Sequence, residues 1–534
     1  MSNWLKRFVW ISLIVGTATG SLWAQPEFEK PNIVFIITDD QSWDSLSFMG
    51  GDVHTPRIDR MVDEGMLFSD FNVTSTVCSP SRYSFLTGRF AGNCTGDYFM
   101  REHPPGDQTQ IENIGELEPE RWNLAKILQE HGYVTGLVGK SHLIHHDWVC
   151  ENGDNEEGWK KARFKYYSKQ ADPKDPEVND MMRFNHDKWC EAMKPYGFDY
   201  VDGFYAANLR ELFNESLNVH NLDWSVSKAF HFLEKYQSEP FFLCFSTTLH
   251  HGPAPWDNQY SLAADPRMTG EGFVEEGFDV LPSRDDVLRR NREAGHQDDE
   301  AYALWLDDGV GAILDKIDSL GISENTLVIF VPDHGSYRHG KATLHDFGMR
   351  VPMICLWKGT IEPGAQYDEI VANIDLAPTL MELAGIEKPV DFEIDGISFK
   401  EALFGDDEPI RSVLLGELGH ARAVKTKDWK YIATRYPQEL QERIDQGETF
   451  TGFLGDPLEL PYLTRNGHLG HHASEANPNY FDPDQLYDLR NDPEETKNVF
   501  AQNPEVAAKM QQALSKELAR FEGRPFGEFT PLAK

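Results

Sequence analysis

The segment TSTVCSPSRYSFLTGR, residues 74 to 89, places one cysteine at the start of a predicted helix. Ser79 is a preferred N-cap residue, Pro80 suits the first helical position, and Gly88 suits the C-terminal stop. Cys78 therefore stands at the positive end of a short helix, where backbone N–H groups attract anions. This position is typical of a reactive thiol or of an anion-binding group, and the segment alone does not choose between them.

Other reactive side chains follow shortly after four apolar segments that are predicted to be strands. They are Asp39 and Asp40 after NIVFIIT, Lys140 and His142 after YVTGLVG, His250 and His251 after PFFLCFSTT, and Asp333 and His334 after TLVIFVP. Because ligands of open α/β sheets bind outside the carboxyl ends of the strands, we expect these side chains to meet at one edge. One such residue is usually a turn former or a solvated charge, whereas four strand ends together indicate a site.

Three of these residues, Asp39, Asp40 and Asp333, are carboxylates that would share one crevice. This much negative charge favours a bound hard cation, and oxygen ligands favour Ca²⁺ or Mg²⁺. Zinc is disfavoured, because its sites are dominated by His and Cys, which is not the case here. The residues that would complete an anion cradle beside the cation are Arg82, Lys140 and Lys341.

The elements that position these residues alternate between apolar strands and amphipathic helices. The helical segments WNLAKILQEHG, WSVSKAFHFLEKY and YALWLDDGVGAILDKIDSLG separate the strand-like runs. Near-continuous apolar strands indicate a sheet buried on both faces. The sequence therefore predicts an α/β fold with a large, mostly parallel sheet sandwiched by helices. The segments 145–215 and 254–300 break this alternation and are interpreted as long insertions, which are usually functional.

The pattern changes after about residue 405. The runs SVLLGE, ARAVKT and WKYIATRY favour antiparallel strands, and PEVAAKMQQALSKELARF favours a final helix. We therefore predict a signal peptide over residues 1–24, a catalytic α/β domain over 25–405, and a smaller C-terminal α+β domain with an antiparallel sheet over 406–534.

Composition and charge narrow the classes of function. The chain has 534 residues, is 40% hydrophobic and carries a formal net charge of −37, which argues against a nucleic-acid partner. Lys6 and Arg7, the apolar run FVWISLIV and a small-residue site after Ala24 predict an export signal. The mature protein is expected to be periplasmic or secreted, without stable membrane insertion. Cys150 and Cys190 flank a polar insertion and are candidates for a bridge that the sequence alone does not settle.

The segment CSPSRYSFLTGR resembles the signature of the type I sulfatases, formylglycine-dependent enzymes of the alkaline phosphatase superfamily. Further segments resemble the family in the same order: PNIVFIITDDQ, GKSH, HHGP, DHGSYRHGK, GMRVPMI, WKYI and LYDLRNDPEETKN. In that family a formylglycine-generating or anaerobic sulfatase-maturing enzyme converts the cysteine to Cα-formylglycine (3-oxoalanine), whose hydrate is the nucleophile. The resemblance therefore implies that residue 78 is oxidised and that the protein hydrolyses sulfate esters.

The resemblance also implies a role for each candidate residue. The implied ligands of one Ca²⁺ ion are Asp39, Asp40, the oxidised Cys78, Asp333 and His334. The implied contacts of the nucleophile and the sulfate are Arg82, which would help ionise the hydrate, His142 on its second hydroxyl, and Lys140 and Lys341 on the sulfate oxygens. His251 would contact the leaving-group oxygen, and the role of His250 stays open.

The chain departs from the family pattern at a few positions. His334 stands where many relatives carry Asn, a substitution that the family tolerates. His345 and Asp346 stand where many relatives carry an aromatic residue and Glu. This second departure is expected to alter the pocket wall more than the chemistry.

The implied reaction begins when the metal lowers the pKa of one hydrate oxygen. Attack on sulfur displaces the alcohol, with His251 or Lys341 as the proton donor, and loss of the second hydroxyl proton then releases sulfate. Two alternatives stay open. One is a phosphonate or phosphate ester hydrolase with the same nucleophile, and the other is a non-catalytic protein that binds sulfated glycans.

The content of the two insertions favours a sulfated carbohydrate as the substrate. The candidates to stack on sugar faces are Trp148, Trp159, Trp189 and Trp256. The candidates to bind hydroxyls or neighbouring sulfates are His145, His146 and Arg210. For any single Trp, the alternative is that the ring packs the insertion against the sheet.

Overall fold

A large β-sheet forms the centre of the fold. The computed structural model describes residues 30–41, 43–112, 115–144, 153–255, 260–336, 340–451, 457–464 and 473–530. The strands in these ranges are β1 Asn32–Thr38, β2 Met66–Phe68, β3 Phe71–Asn72, β4 Val134–Lys140, β5 Tyr200–Tyr205, β6 Phe241–Ser246, β7 Met268–Thr269, β8 Gly272–Phe273, β9 Thr326–Pro332, β10 Met353–Leu356, β11 Ala365–Tyr367, β12 Val371–Ala372, β13 Leu414–Leu418, β14 Ala421–Lys425, β15 Trp429–Thr434, β16 Phe450–Thr451, β17 Pro457–Leu458 and β18 Asp484–Asp488.

The large sheet has the strand order β11-β2-β10-β9-β1-β6-β4-β5. Its neighbouring strands are parallel except where β10 pairs with β2 and β9. The central strands β1, β6 and β9 are buried along their whole length, which explains their near-continuous apolar sequences. The polar residues that follow β1, β4, β6 and β9 consequently lie at one edge.

Helices cover both faces of this sheet. Their bounds are α1 Pro56–Glu64, α2 Cys78–Thr87, α3 Asp97–Glu102, α4 Leu124–Glu130, α5 Glu156–Lys161, α6 Pro176–Met193, α7 Leu222–Tyr236, α8 Arg284–Glu293, α9 Ala301–Ser319, α10 Asp346–Met349, α11 Leu376–Leu383, α12 Gln438–Asp445 and α13 Pro504–Leu518. Successive residues of β1 point to opposite faces, so Phe35 packs with Phe85 of α2 while Ile36 shares a core with Trp305 of α9. The predicted α/β sandwich is confirmed.

One strand lies where the sequence analysis expects an insertion. Tyr200–Tyr205, within 145–215, forms the edge strand β5 and pairs in parallel with β4. Its run YVDGFY is only partly buried, because an edge strand is covered on fewer sides than a central one. The continuous apolar pattern that reveals the central strands is therefore missing from β5.

The predicted signal peptide and Cys150 lie outside the described residues, so the export signal and the bridge stay predictions. Cys190 is buried, and its Sγ atom lies 3.7 Å from His186 Nε2. Within the described ranges, no helix has the length and apolar character that a membrane crossing requires.

A second, antiparallel sheet has the order β13-β14-β15-β18 and packs against α13. The three predicted strands and the final helix are present, and β18 is an additional strand. The first strand of this sheet begins at Leu414, and the boundary near residue 405 stays a prediction.

Buried charges join this second sheet to the loop after β9. The ammonium group of Lys430 contacts Asp346 and lies 2.9 Å from Glu495, while Lys425 Nζ lies 3.0 Å from Asp346 and 2.7 Å from Asp70. Although burial opposes ionisation, Lys425 and Lys430 hold the pKa of Asp346 well below its usual range. These buried ion pairs therefore fix the position of the loop against the second sheet.

The expectation that His345 and Asp346 line the pocket wall is wrong. The His345 ring lies 3.1 Å from the hydroxyl of Tyr487, and Asp346 binds the two lysines of the second sheet. Both side chains turn into the junction between the two sheets, where they have polar partners. Their departure from the family pattern therefore affects this junction.

Replacing Lys430 by Met is predicted to destabilise the fold by about 3–5 kcal/mol, because Asp346 and Glu495 lose a buried cation that they share. Lys427→Met is the matched control. The Lys427 side chain is 62% exposed and pairs with Glu369, so its loss should change the free energy of unfolding by only about 0–1 kcal/mol. Urea unfolding followed by circular dichroism compares the two, and equal effects would contradict a structural role of the buried network.

Candidate active site

Cys78 is the first residue of helix α2, which is buried along its whole length. The helix begins two residues earlier than an N-cap at Ser79 predicts, with Val77 as the extended N-cap residue. The Ser79 hydroxyl is not a cap because it donates to the carbonyl of His142 at 2.9 Å, which ties the helix to the loop after β4. Gly88 ends the helix with a φ of 65°, as predicted.

Polar side chains from three strand ends surround Cys78. The contacts of its Sγ atom are Asp39 Oδ1 at 3.5 Å, His334 Nε2 at 3.4 Å, Lys140 Nζ at 3.6 Å and Lys341 Nζ at 3.6 Å. One potential ligand atom from each of four residues lies within 4.8 Å of all the others, and these residues are Asp39, Asp40, Cys78 and His334. The sequence-predicted candidates from β1, β4 and β9 thus meet at one point.

Three carboxylates and three cations are paired in this site. The pairs are Asp39 with Lys140, Asp40 with Lys341 at 2.8 Å, and Asp333 with Arg82 at 2.9 Å. All six residues are buried. The uncompensated negative charge that the sequence suggests is therefore balanced by side chains. A dication added to this balanced set would leave a net positive charge, which suits an anionic substrate.

The surroundings of His334 indicate whether the side chains near Cys78 fit a metal ion. Its Nδ1 lies 2.8 Å from the carbonyl oxygen of Gly335 and donates to it, so a neutral ring would offer the lone pair of Nε2 to a metal ion. That Nε2 lies 3.3 Å from Asp40 Oδ1 and 3.6 Å from Asp333 Oδ1. A neutral imidazole would place a nitrogen lone pair beside two carboxylate oxygens, and such a group of acceptors suits a bound cation. An oxygen-rich set with one imidazole nitrogen fits a hard metal ion better than it fits zinc.

The thiol of Cys78 is poorly suited to be the nucleophile itself. Burial and the carboxylate of Asp39 raise its pKa from 9.0 to about 12, against the opposing effect of Lys140 and Lys341. Because the thiolate is the reactive form, an unmodified Cys78 would be largely inert near neutral pH. The position at the helix start suggests either a reactive thiol or an anion-binding group. The raised pKa of the thiol argues against the first and leaves anion binding.

Hydrogen bonds hold the side chain of Arg82 and the main chain of His142. Arg82 Nε donates to Asp333, and its Nη1 donates to the hydroxyl of Ser246 and, at 3.3 Å, to the carbonyl of Lys140. The main-chain N–H of His142 donates to the carbonyl of Ala206 at 2.8 Å, and its own carbonyl accepts from Ser79. These bonds connect helix α2 to the ends of β4, β5, β6 and β9.

The loop after β6 brings two histidines to the site. His251 Nε2 lies 3.9 Å from Asp40 Oδ2, and its Nδ1 lies 3.2 Å from the carbonyl of Gly252. Burial, reinforced by Lys341, lowers the pKa of His251 to about 3, and burial lowers the pKa of His250 to about 4. The His251 side chain is 22% exposed, whereas that of Lys341 is 2% exposed, so His251 lies at the mouth of the site.

Asn208 is a site residue that the sequence analysis missed. Its Oδ1 accepts a hydrogen bond from Lys140 Nζ at 2.7 Å. Asn208 follows the edge strand β5, so it obeys the same rule as the other site residues. A polar side chain shortly after YVDGFY is the available signal, but the interrupted apolar pattern of that run does not predict a strand.

The insertions contribute less to the site than the sequence suggests. Trp159 is 2% exposed and its ring lies 5.3 Å from that of Tyr167, while Trp189 packs on Phe164 at 5.0 Å. Packing within the insertion therefore explains both tryptophans. Arg210 is 65% exposed. The other candidates lie outside the described residues, and they are His145, His146, Trp148 and Trp256.

The chain is similar to proteins of known activity over most of its length. The family model described as Sulfatase matches residues 31–386, and one described as N-sulphoglucosamine sulphohydrolase, C-terminal, matches residues 333–449. N-acetylgalactosamine-6-sulfatase of the dog, Canis lupus familiaris, is 28% identical over 511 residues, covering 90% of this chain and 87% of the relative. Arylsulfatase G of Homo sapiens is 28% identical over 453 residues, covering 75% of each chain.

Solved structures share the fold. One, from a study of glycosaminoglycan metabolism by Bacteroides thetaiotaomicron, has a TM-score of 0.60 at 20% identity and covers 92% of this chain and 100% of its own. Another, described as a complex with its substrate D-glucosamine-2-N,6-O-disulfate, has a TM-score of 0.59 at 18% identity and covers 93% of this chain and 99% of its own. At these identities the likeness shows the fold.

Proposed function

The chain belongs to the sulfatase family of sulfuric ester hydrolases, and from this premise we propose that it removes sulfate from a sulfated carbohydrate by means of an oxidised residue 78 and one Ca²⁺ ion. The observation that carries the proposal is the buried cluster around Cys78, in which carboxylates, an imidazole and two ammonium groups converge. We further propose that the protein is exported and that a maturation enzyme oxidises Cys78.

The surroundings of Cys78 keep its thiol protonated and therefore unreactive. Oxidation of Cys78 to formylglycine would give this site a nucleophile that does not depend on a thiolate. The hydrated aldehyde supplies a nucleophilic oxygen and a second hydroxyl whose deprotonation allows sulfate to leave. Arg82 carries a buried positive charge that would favour ionisation of the hydrate, and its guanidinium is fixed beside Asp333 and Asp39. A neutral thiol with a pKa of about 12 provides neither function.

The proposed metal ligands from the chain are Asp39, Asp40, Asp333 and His334, together with residue 78. When bound, Ca²⁺ would acidify the hydrate oxygen and offset charge that develops on the sulfate. The lone pair of His334 Nε2, directed at two carboxylates, supports this assignment.

The two lysines are placed to bind the sulfate oxygens. Lys140 and Lys341 each lie 3.6 Å from Cys78 Sγ, and each is paired with a proposed metal ligand. A dication that takes over the carboxylates would free both ammonium groups for an anion at residue 78. His251, at the mouth of the site, would contact the leaving-group oxygen. The proton for that oxygen would come from Lys341, or from His251 once its Nε2 has taken up a proton.

A carbohydrate substrate is supported by the relatives rather than by the tryptophans. The dog relative is named for an N-acetylgalactosamine 6-sulfate, and one solved structure holds a glucosamine disulfate. Trp159 and Trp189 give no support, because both are occupied by packing. The net charge of −37 opposes a polyanionic substrate at long range. Salt screens that repulsion beyond about 8 Å, so the local cations decide binding.

Cys78→Ala is predicted to lower kcat/KM for sulfate release by at least about 10⁴, because the nucleophile is removed. The fold should stay intact, since Ala is compatible with the start of a helix. Mass spectrometry of the wild-type peptide should find formylglycine at residue 78. The control is the same chain produced without a maturation enzyme, which should retain cysteine and be inactive. Full activity of enzyme that carries only cysteine would contradict the proposal.

Calcium is predicted to raise the melting temperature of the chelator-treated protein. At a hundredfold excess over its Kd, it should add about 2.7 kcal/mol to the free energy of unfolding. Asp39→Asn should abolish most of this gain, because it removes a proposed ligand that is fully buried. Asp63→Asn, on the exposed side of α1, is the matched control and should respond to calcium as wild type does. Equal stabilisation of both variants would argue against the assigned site.

Sulfate release from sulfated oligosaccharides is predicted to exceed release from 4-nitrophenyl sulfate in kcat/KM. The reason is that binding of the sugar contributes to transition-state stabilisation, whereas an aryl group offers fewer polar contacts. Ion chromatography of released sulfate measures both substrates on one scale. Equal or faster turnover of the aryl ester would instead indicate a generalist arylsulfatase.

A further inference from the structure

A buried histidine outside the predicted site, His220, binds the loop that carries His250 and His251. His220 is 0% exposed and lies just before α7. Its Nε2 lies 2.8 Å from the carbonyl oxygen of His251 and 3.2 Å from that of Pro253. Its Nδ1 lies 2.8 Å from the hydroxyl of Thr248. One imidazole thus holds residues on both sides of His251.

These partners determine the tautomer of His220. A carbonyl oxygen only accepts hydrogen bonds, so Nε2 must carry the proton that is shared by His251 and Pro253. Nδ1 then keeps its lone pair and accepts from the hydroxyl of Thr248. Burial lowers the pKa of His220 to about 4, in agreement with a neutral ring. A single neutral tautomer therefore satisfies all three partners.

His220 is itself fixed by helix α9. Its main-chain N–H donates to Ser261 Oγ at 2.9 Å, and the main-chain N–H of Ser261 donates to the Tyr302 hydroxyl at 2.8 Å. The rings of His220 and Tyr302 meet edge to face, with centroids 5.6 Å apart. Tyr302 lies in the buried part of α9. The position of the imidazole is therefore set by the core.

The start of the same loop is fixed by β1. The main-chain N–H of Thr247 donates to Ile37 at 2.9 Å, and that of Asp39 donates to Leu249 at 2.8 Å. The His251 side chain, in contrast, touches its own neighbour Gly252 and is partly exposed. Its orientation consequently depends on the backbone that His220 holds.

We propose that His220 is a positioning residue for His251, which it holds at the leaving-group oxygen through hydrogen bonds to residues 248, 251 and 253. This inference rests on the proposed function, in which His251 contacts that oxygen. A sugar alkoxide is a poor leaving group that needs a proton or hydrogen bond, whereas 4-nitrophenolate leaves readily without one. Loss of His220 should therefore slow sugar sulfates more than 4-nitrophenyl sulfate. A merely structural role would slow both substrates alike.

Two substitutions of His220 test the acceptor at Nδ1 and the donor at Nε2 separately. His220→Asn keeps an acceptor near the Nδ1 position and loses the donor to His251 and Pro253. His220→Gln places an amide donor near the Nε2 position. We expect His220→Asn to lower kcat/KM for the sugar sulfate by about a hundredfold, the cost of a displacement near 1 Å, with a much smaller loss for the aryl ester. His220→Gln should recover most of the sugar activity, and His231→Asn, on the exposed side of α7, is the matched control.

A double-mutant cycle then asks whether His220 acts through His251. If it does, adding His220→Asn to His251→Ala should change kcat/KM for the sugar sulfate by less than about twofold, because the group that it positions is already gone. If His220→Asn does not fold, Thr248→Val removes only the hydroxyl that fixes the ring. That variant should shift the ratio of sugar to aryl turnover in the same direction by a smaller factor.

The outcomes separate this inference from the proposed function. Wild-type enzyme that releases no sulfate from either substrate would overturn the proposed function. Active wild-type enzyme whose position-220 and position-248 variants leave the sugar-to-aryl ratio unchanged would overturn the positioning role alone. Multiplicative losses in the double mutant would do the same, since they would show that His220 acts independently of His251.

Discussion

Three carboxylates and three cations share one buried space around Cys78, and the rest of the fold serves to hold them there. A buried charge is costly unless it is paired at close range, so each pair restricts where its two elements can lie. Asp39 and Lys140 join β1 to the end of β4, whereas Asp333 and Arg82 join β9 to helix α2. The balanced set also explains how an acidic protein can bind an anion. One added dication would make the site positive although the formal net charge of the whole chain is −37.

The second sheet is part of this arrangement rather than an appendage. Lys341 belongs to the loop after β9, and the Tyr480 hydroxyl of the C-terminal region donates to the carbonyl of its neighbour Ala342 at 3.1 Å. Ala342 has a φ of 63° and its main-chain N–H donates to Thr76 at 3.1 Å. The buried network of Asp346 with Lys425 and Lys430 fixes the far end of the same loop. The position of a proposed sulfate-binding lysine therefore depends on contacts between residues that lie 79 to 138 positions apart in the chain.

The sequence predicts the central strands and the polar residues at their ends, because fully buried parallel strands leave continuous apolar runs. It does not predict β5, whose exposed edge interrupts that run, and it therefore misses Asn208. The pairing of each carboxylate with one particular cation depends on tertiary distances that spacing along the chain does not encode. The role of His220 is not predicted for a related reason, since a buried histidine that binds main-chain carbonyls has no sequence signature. Ser79 resembles a helix cap in the sequence, but a tertiary partner, the carbonyl of His142, takes its hydroxyl.

The central claim is that a cation bound by Asp39, Asp40, Asp333 and His334 converts a neutral site into one that attracts sulfate. The most direct test is the affinity of the Cys78→Ala protein for inorganic sulfate, measured by calorimetry with calcium and with chelator. We expect calcium to tighten sulfate binding by at least about tenfold and sulfate to tighten calcium binding by the same factor, because the coupling is reciprocal. Sulfate affinity that is the same with and without calcium would contradict it.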